Sequence, residues 1–259
     1  MSKAPRGIQS LEVGGTLLQA LAGAGGALPL KELAARAGMS PAKAHPYLVS
    51  WGRVGLVAQD EASGRYGLGP MAMQLGLISL QQHDPIRLAS AQLEPLALAT
   101  GCTVALTLWG NAGPTVVRVA EAPSPLHVSL RHGTVLNLHQ TASGQAMAAW
   151  RATAQVEALW RQTQGAPAEG SAWLAFQHRL AAVRVEGFAH SDEALLPGVA
   201  ALAVPGCDAL SVAQWALVAV APRSQWAAEG ERRRVTEALV RAATQVRQQL
   251  GWLAPASGA

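Results

Sequence analysis

At 259 residues the chain is long enough for one or two domains, each with its own core. Half of its residues are apolar, yet charge, glycine or proline interrupts every run before about 18 apolar residues accumulate, which excludes a membrane-spanning helix. A net charge of +4 and a pI of about 9.6 describe a mildly basic surface, and two cysteines without partner spacing, Cys102 and Cys207, argue against a disulfide framework, a zinc knuckle or a redox pair.

The opening MSKAPRGIQS has no apolar signal core, so a cytoplasmic protein is expected. All three lysines (Lys3, Lys31, Lys43) fall in the N-terminal part, and a cationic module there suits phosphate contacts. In chain order, Ile8 to Ala22 predicts a helix capped by Ser10, with Leu11, Leu17, Leu18 and Leu21 inward and weakened by Gly14-Gly15. From Pro29 to Val57 two short helical patterns meet with helix-turn-helix spacing. Leu30, Leu33, Ala34 and Ala37 repeat at helical intervals, and Gly38 follows where the chain must reverse through a left-handed residue. Ser40 then caps a second helix and Pro41 fits its first position. Its buried stripe is Ala44, Leu48, Trp51 and Val54 or Leu56, leaving Ala42, Lys43, His45, Tyr47 and Ser50 for an outer face suited to a DNA major groove.

After Gly55 the pattern becomes extended, LVAQ and RYGLG around the turn DEASG, which predicts a hairpin, the wing of a winged helix-turn-helix, presenting Arg65 and Tyr66. Pro70 to Gln82 is an apolar helical run that links domains and packs against a partner chain. Ile86 to Ala99 resumes as a helix. Strands follow at Thr103 to Trp109, Thr115 to Ala120 and Leu126 to Leu130, with turns at 110–114 and 123–125. Helices are predicted from Thr141 to Trp150 and Trp173 to Val185, with a loop from Gly165 to Gly170 between them. Extended runs come at Gly187 to His190, Val199 to Val204 and Trp215 to Ala221. The final helix, Glu229 to Leu250, carries a heptad-like seam at 235, 239, 242/243, 246 and 250.

Four segments, GMSPAKAHPYLVSWGRVGLV, SGRYGLGP, LHQTASGQAM and GFAHSDEALLPGVAALAVPG, occur in an order and spacing that resemble the isocitrate-lyase-regulator (IclR) family of bacterial transcription factors across nearly the whole chain. The resemblance implies an α+β chain: a winged helix-turn-helix (1–69), a linker helix (70–84) and a GAF-like α/β effector-binding domain (85–254). It also implies double-stranded operator DNA as a partner, a homodimer or dimer of dimers, and a small carboxylate-bearing effector. Effector residues expected by resemblance are Leu126, Val128 and Leu136, then Ala142, Ser143 and Met147, then Asp192, Ala201 and Leu202.

The chain departs from the family pattern in two places. Ala42-Lys43 replaces Ser-Thr in the recognition helix and Pro46 replaces arginine; proline costs about 3 kcal/mol inside a helix, so a kink or a start near Lys43 is expected. In the effector domain, Ala201 replaces a cysteine, and Ala219 and Ala221 are read at the positions of two serines. Lost hydrogen-bonding groups disfavour small polar acids, leaving either a larger, apolar effector such as an aromatic acid or a vestigial pocket. Open amides at Thr141 to Gly144 would suit a carboxylate, with simple capping by Thr141 and Ser143 as the alternative.

Catalysis finds little support. Ser143 lacks a Gly-x-Ser-x-Gly elbow, His127, His132 and His139 have no zinc spacing, and Asp192-Glu193 reads as a turn. No metal and no cofactor are expected. Trp109, Trp150, Trp160, Trp173 and Trp215 read as core or interface. A different reading keeps a ligand-binding or enzymatic domain and makes the helix-turn-helix a degenerate dimerisation module.

Overall fold

The computed structural model describes residues 7–82, 84–121, 130–194 and 196–251. They form two compact units, one ending with Gln82 and one starting at Asp84.

In the first unit, helices α1 (Gln9–Ala24), α2 (Leu30–Arg36) and α3 (Pro41–Arg53) precede a hairpin of β1 (Val57–Gln59) and β2 (Tyr66–Leu68), and α4 (Pro70–Gln82) follows. Leu17, Leu21, Leu33, Ala34, Ala44, Leu48 and Val57 make one core, so the apolar periodicity of α1 to α3 is spent on holding them together. Gly38 has φ +67, the left-handed turn the sequence demands. The start of α1 differs from expectation. Ile8 occupies its cap position, Ser10 lies inside the helix without capping it, and Leu11 is 57% exposed. Gly14 does more than weaken α1: it is buried, and a Cβ there would stand 2.9 Å from the Tyr47 ring. Its absent side chain lets α1 approach α3, where Trp51 Nε1 donates to the Gly14 carbonyl at 3.1 Å. Trp51 packs against the same core from α3, Leu56 beyond the helix is half-buried, and Val54 is 52% exposed.

The second unit holds a five-stranded antiparallel sheet in the order β4-β3-β7-β6-β5: β3 (Thr103–Gly110), β4 (Gly113–Ala120), β5 (Ala189–Asp192), β6 (Val199–Cys207) and β7 (Ala213–Pro222). Successive strand residues point to opposite faces, and both faces are covered. Ala105, Val199, Ala201, Ala203, Val218 and Val220 pack against α7 (Ala142–Ala148), α8 (Thr153–Gln164) and α9 (Gly170–Glu186). Val104, Leu106, Ala200, Leu202, Leu217, Ala219 and Ala221 pack instead against α5 (Pro85–Ser90), α6 (Leu93–Thr100) and α10 (Glu229–Gln249). The seam of α10, Val235, Leu239, Ala242, Ala243 and Val246, is buried on this second face of the sheet.

Two differences from the sequence reading stand out. The helix expected over 86–99 is two helices, α5 capped by Asp84 and α6 starting at Leu93. Helix α8 had no counterpart among the predicted elements. The turn at 123–125, most of the strand from Leu126 to Leu130, and His127 lie outside the described residues.

Candidate nucleic-acid interface and effector site

Helix α3 is built to present one face. Its first turn is capped by Ser40, whose Oγ accepts from the Lys43 amide at 3.3 Å, and Pro41 occupies the first position. The helix therefore starts where Ser40 places it, two residues before the late start that Pro46 suggested, and it runs through Pro46 to Arg53. Ala44 and Leu48 are locked into the core, which turns Ala42, Lys43, His45 and Ser50 outward, all exposed. No Asp or Glu lies in α3, and Lys43 and Arg53 stand on it as cations. The Ser50 hydroxyl donates to the Pro46 carbonyl at 2.9 Å, so its oxygen remains an acceptor.

Two expected contact residues are corrected. Tyr47 is half-buried against Gly14, so its ring serves the α1–α3 packing. Tyr66 is only 8% exposed and belongs to the core, because the two-residue period of β2 turns it inward, and its main chain pairs with Leu28 at 2.8 and 2.9 Å. In the wing, the Asp60 carboxylate accepts from the Ser63 amide and hydroxyl at 2.6 and 2.7 Å, which holds its pKa below the ordinary value. Arg65 follows that turn, exposed, with Nη1 donating to the Ala27 carbonyl at 3.2 Å.

The sheet divides the expected effector residues into two groups. Leu136, Ala142, Ser143, Met147 and Ala201 are buried on the α7 side. Leu202, Ala219 and Ala221 are buried on the opposite side, among residues of the α10 core, and cannot line one site with Ser143. Among the residues of β7 that share a face with Ala201 are Val218 and Val220, the latter opposite Ala201 in register. A one-residue slip in reading the strand exchanges the faces. The substituted positions are still without hydroxyls. Leu126 and Val128 lie outside the described residues.

The turn that opens α7 is largely self-satisfied. The amide of Ala142 donates to Ser191 Oγ at 3.1 Å, that of Gly144 to Thr141 Oγ1 at 3.1 Å, and that of Thr141 to the Asn137 carbonyl at 3.4 Å. Thr141 is thus a helix cap, and the open amides expected there are mostly taken. Beside this turn lies a cavity of about 490 Å³ bordered by His139, Gln140, Gln145, Arg179, Asp192 and Glu193. Asp192 thereby joins the site from β5. His139 meets Trp160 at 5.1 Å and Phe176 at 6.2 Å; burial, then the nearby Arg179 charge, pushes its pKa down. The sequence reading missed Gln145 and Arg179, and strand alternation anchored on Ala201 would have selected Val218 and Val220.

Trp160, Trp173 and Trp215 are core residues, and Trp109 carries the Arg151 guanidinium at 4.8 Å over its ring. Among the described residues no group of His, Cys, Asp and Glu could hold a metal ion, and no helix is long and apolar enough to cross a membrane.

A winged helix-turn-helix joined to a mixed α/β domain with cavities is the plan of a ligand-responsive DNA-binding protein. Residues 10–61 match the IclR helix-turn-helix domain and residues 78–248 match the bacterial transcriptional regulator IclR C-terminal domain. The glycerol operon regulatory protein of Streptomyces coelicolor is 32% identical over 204 residues, covering 77% of this chain and 79% of that protein. The regulator KdgR of Escherichia coli is 29% identical over 219 residues, covering 82% and 81%. The crystal structure of Pseudomonas aeruginosa HmgR superposes with a TM-score of 0.78 at 32% identity, over 95% of this chain and 99% of that one. The chain belongs to the IclR family: it is a DNA-binding transcriptional regulator with a C-terminal effector domain, and its relatives are regulators, not enzymes.

Proposed function

We propose that the outward face of α3, Ala42, Lys43, His45 and Ser50, enters the major groove of a palindromic operator, with Ser40 at its N-terminal edge and with Lys43 and Arg65 of the wing each on a backbone phosphate. The observation that carries this reading is the exposure of those side chains together while Ala44 and Leu48 are fixed inward. The protein works in the cytoplasm as a homodimer or dimer of dimers, with residues 70–84 linking the two domains. Apolar side chains of α4, among them Met73, Leu75 and Leu77, are more than half exposed and supply a contact surface for a second copy.

The effector in this reading is an organic acid with an apolar, aromatic body, taken on the α7 side of the sheet. Arg179 offers a partner for its carboxylate and Asp192 and Gln145 a polar edge, while Ala201, Val218 and Val220 are the buried apolar side chains of the sheet on that side. Its binding shifts the spacing of two recognition helices and so the operator affinity.

Gel-shift titration against the DNA upstream of its own gene tests the first part: sequence-specific retardation is expected, and none at low salt would refute it. Thermal-shift screening tests the second. Stabilisation by aromatic acids is expected, and stabilisation by two- or three-carbon acids alone would contradict it.

A further inference from the structure

On the face of the sheet turned away from α7, a second cavity of about 580 Å³ lies where β5 and β6 meet the 3-10 turn Arg223–Trp226 and the first turn of α10. That volume falls in the range of small-molecule sites. Its floor is apolar: Ala200, Leu202 and Trp226 line it and are buried. Its walls are charged, and oppositely so. Arg223 and Arg232 border it, and so does Asp192 at the end of β5.

Among the described residues both guanidiniums pair with exposed carboxylates, Arg223 with Glu193 at 3.5 Å and Arg232 with Glu229 at 2.6 Å. Exposed pairs of this kind are weak and yield to a ligand carboxylate that can bind in a fork. A simple anion would leave Asp192 facing it, and a simple cation would meet two arginines. An apolar body over Leu202 and Trp226, a carboxylate toward the arginines and an ammonium toward Asp192 satisfy all three features. We propose that this cavity is a second ligand site, for an amino acid with an apolar side chain. The cavity shares Asp192 with the effector site but has its own floor and its own arginines, on the other face of the sheet.

Isothermal titration of the full-length protein tests it with leucine, phenylalanine and tryptophan, and with 3-phenylpropionate and phenethylamine as analogues that keep one charge each. At least one amino acid should bind, and each one-charge analogue should bind at least tenfold more weakly than phenylalanine. Arg232→Gln and Arg223→Gln change exposed side chains; each should weaken the amino acid about tenfold, and Asp192→Asn should remove the preference for it over the plain acid. No heat with any of the three amino acids, or equal binding of the analogues, overturns the proposal. Arg179→Gln separates the two sites. Amino-acid binding lost in that variant but kept in Arg232→Gln would move the ligand to the α7 side and end this proposal, leaving the effector reading intact. If no amino acid binds and Arg232→Glu instead changes the sedimentation of the protein, the cavity is an interface between copies.

Discussion

Single residues carry much of the specificity of this fold. Gly14 is the clearest case, since a methyl group there would meet the Tyr47 ring at 2.9 Å and the Trp51 indole at 3.3 Å. Gly14→Ala is expected to destabilise the N-terminal unit by about 1–3 kcal/mol through overpacking, measured by chemical denaturation, even though alanine is the better helix former. The sequence made Gly14 look like a weakness because helix propensity is local and the packing partner is 33 residues or more away. His139 gives the pH dependence. Its Nδ1 is buried without a hydrogen-bond partner among the described residues, and burial among Trp160 and Phe176 holds its pKa below the ordinary 6.5. With the folded-state value lowered, the stabilising contribution is complete above pH 6.5 and is lost as pH falls through the folded-state pKa. Thermal melts from pH 7.5 to 5 should therefore fall more steeply for the wild type than for His139→Leu.

At the scale of elements, helix ends and turns were the most legible features, because caps and left-handed glycines are written in residue types at fixed offsets. Ser40, Pro41 and Gly38 set the turn between α2 and α3 as read, and the Pro70–Gln82 helix has the bounds that its flanking prolines imply. Ser40→Ala should cost about 1 kcal/mol by removing the bond to the Lys43 amide. Strand faces were less legible. In β6 and β7 both sides of the sheet are buried, so apolar residues run without alternation and the pattern does not say which side is which. Pairing of Ala201 with Val220 supplies that information, and only the fold provides it. The reassignment is open to test. Val218→Ser with Val220→Ser should shift the ligand preference in thermal-shift assays toward small polar acids, whereas Ala219→Ser with Ala221→Ser should lower stability by burying hydroxyls in the α10 core without that shift.

For the whole molecule, fold class and family were legible because several segments agree in order and spacing, and the helix-turn-helix and effector modules each match their family models. The cavities were not legible. They are assembled from residues far apart in sequence, such as Asp192 with Arg179 and Gln145, whose side chains carry no local signature of convergence. The central claim is that Lys43 and Arg65 meet the DNA backbone from α3 and the wing. It is tested most directly by measuring operator affinity against salt concentration for the wild type, Lys43→Ala and Arg65→Ala. Each variant should bind more weakly and show a log–log salt slope shallower by about 0.9, the value for one lost phosphate contact. Unchanged affinity and slope in both variants would contradict the account.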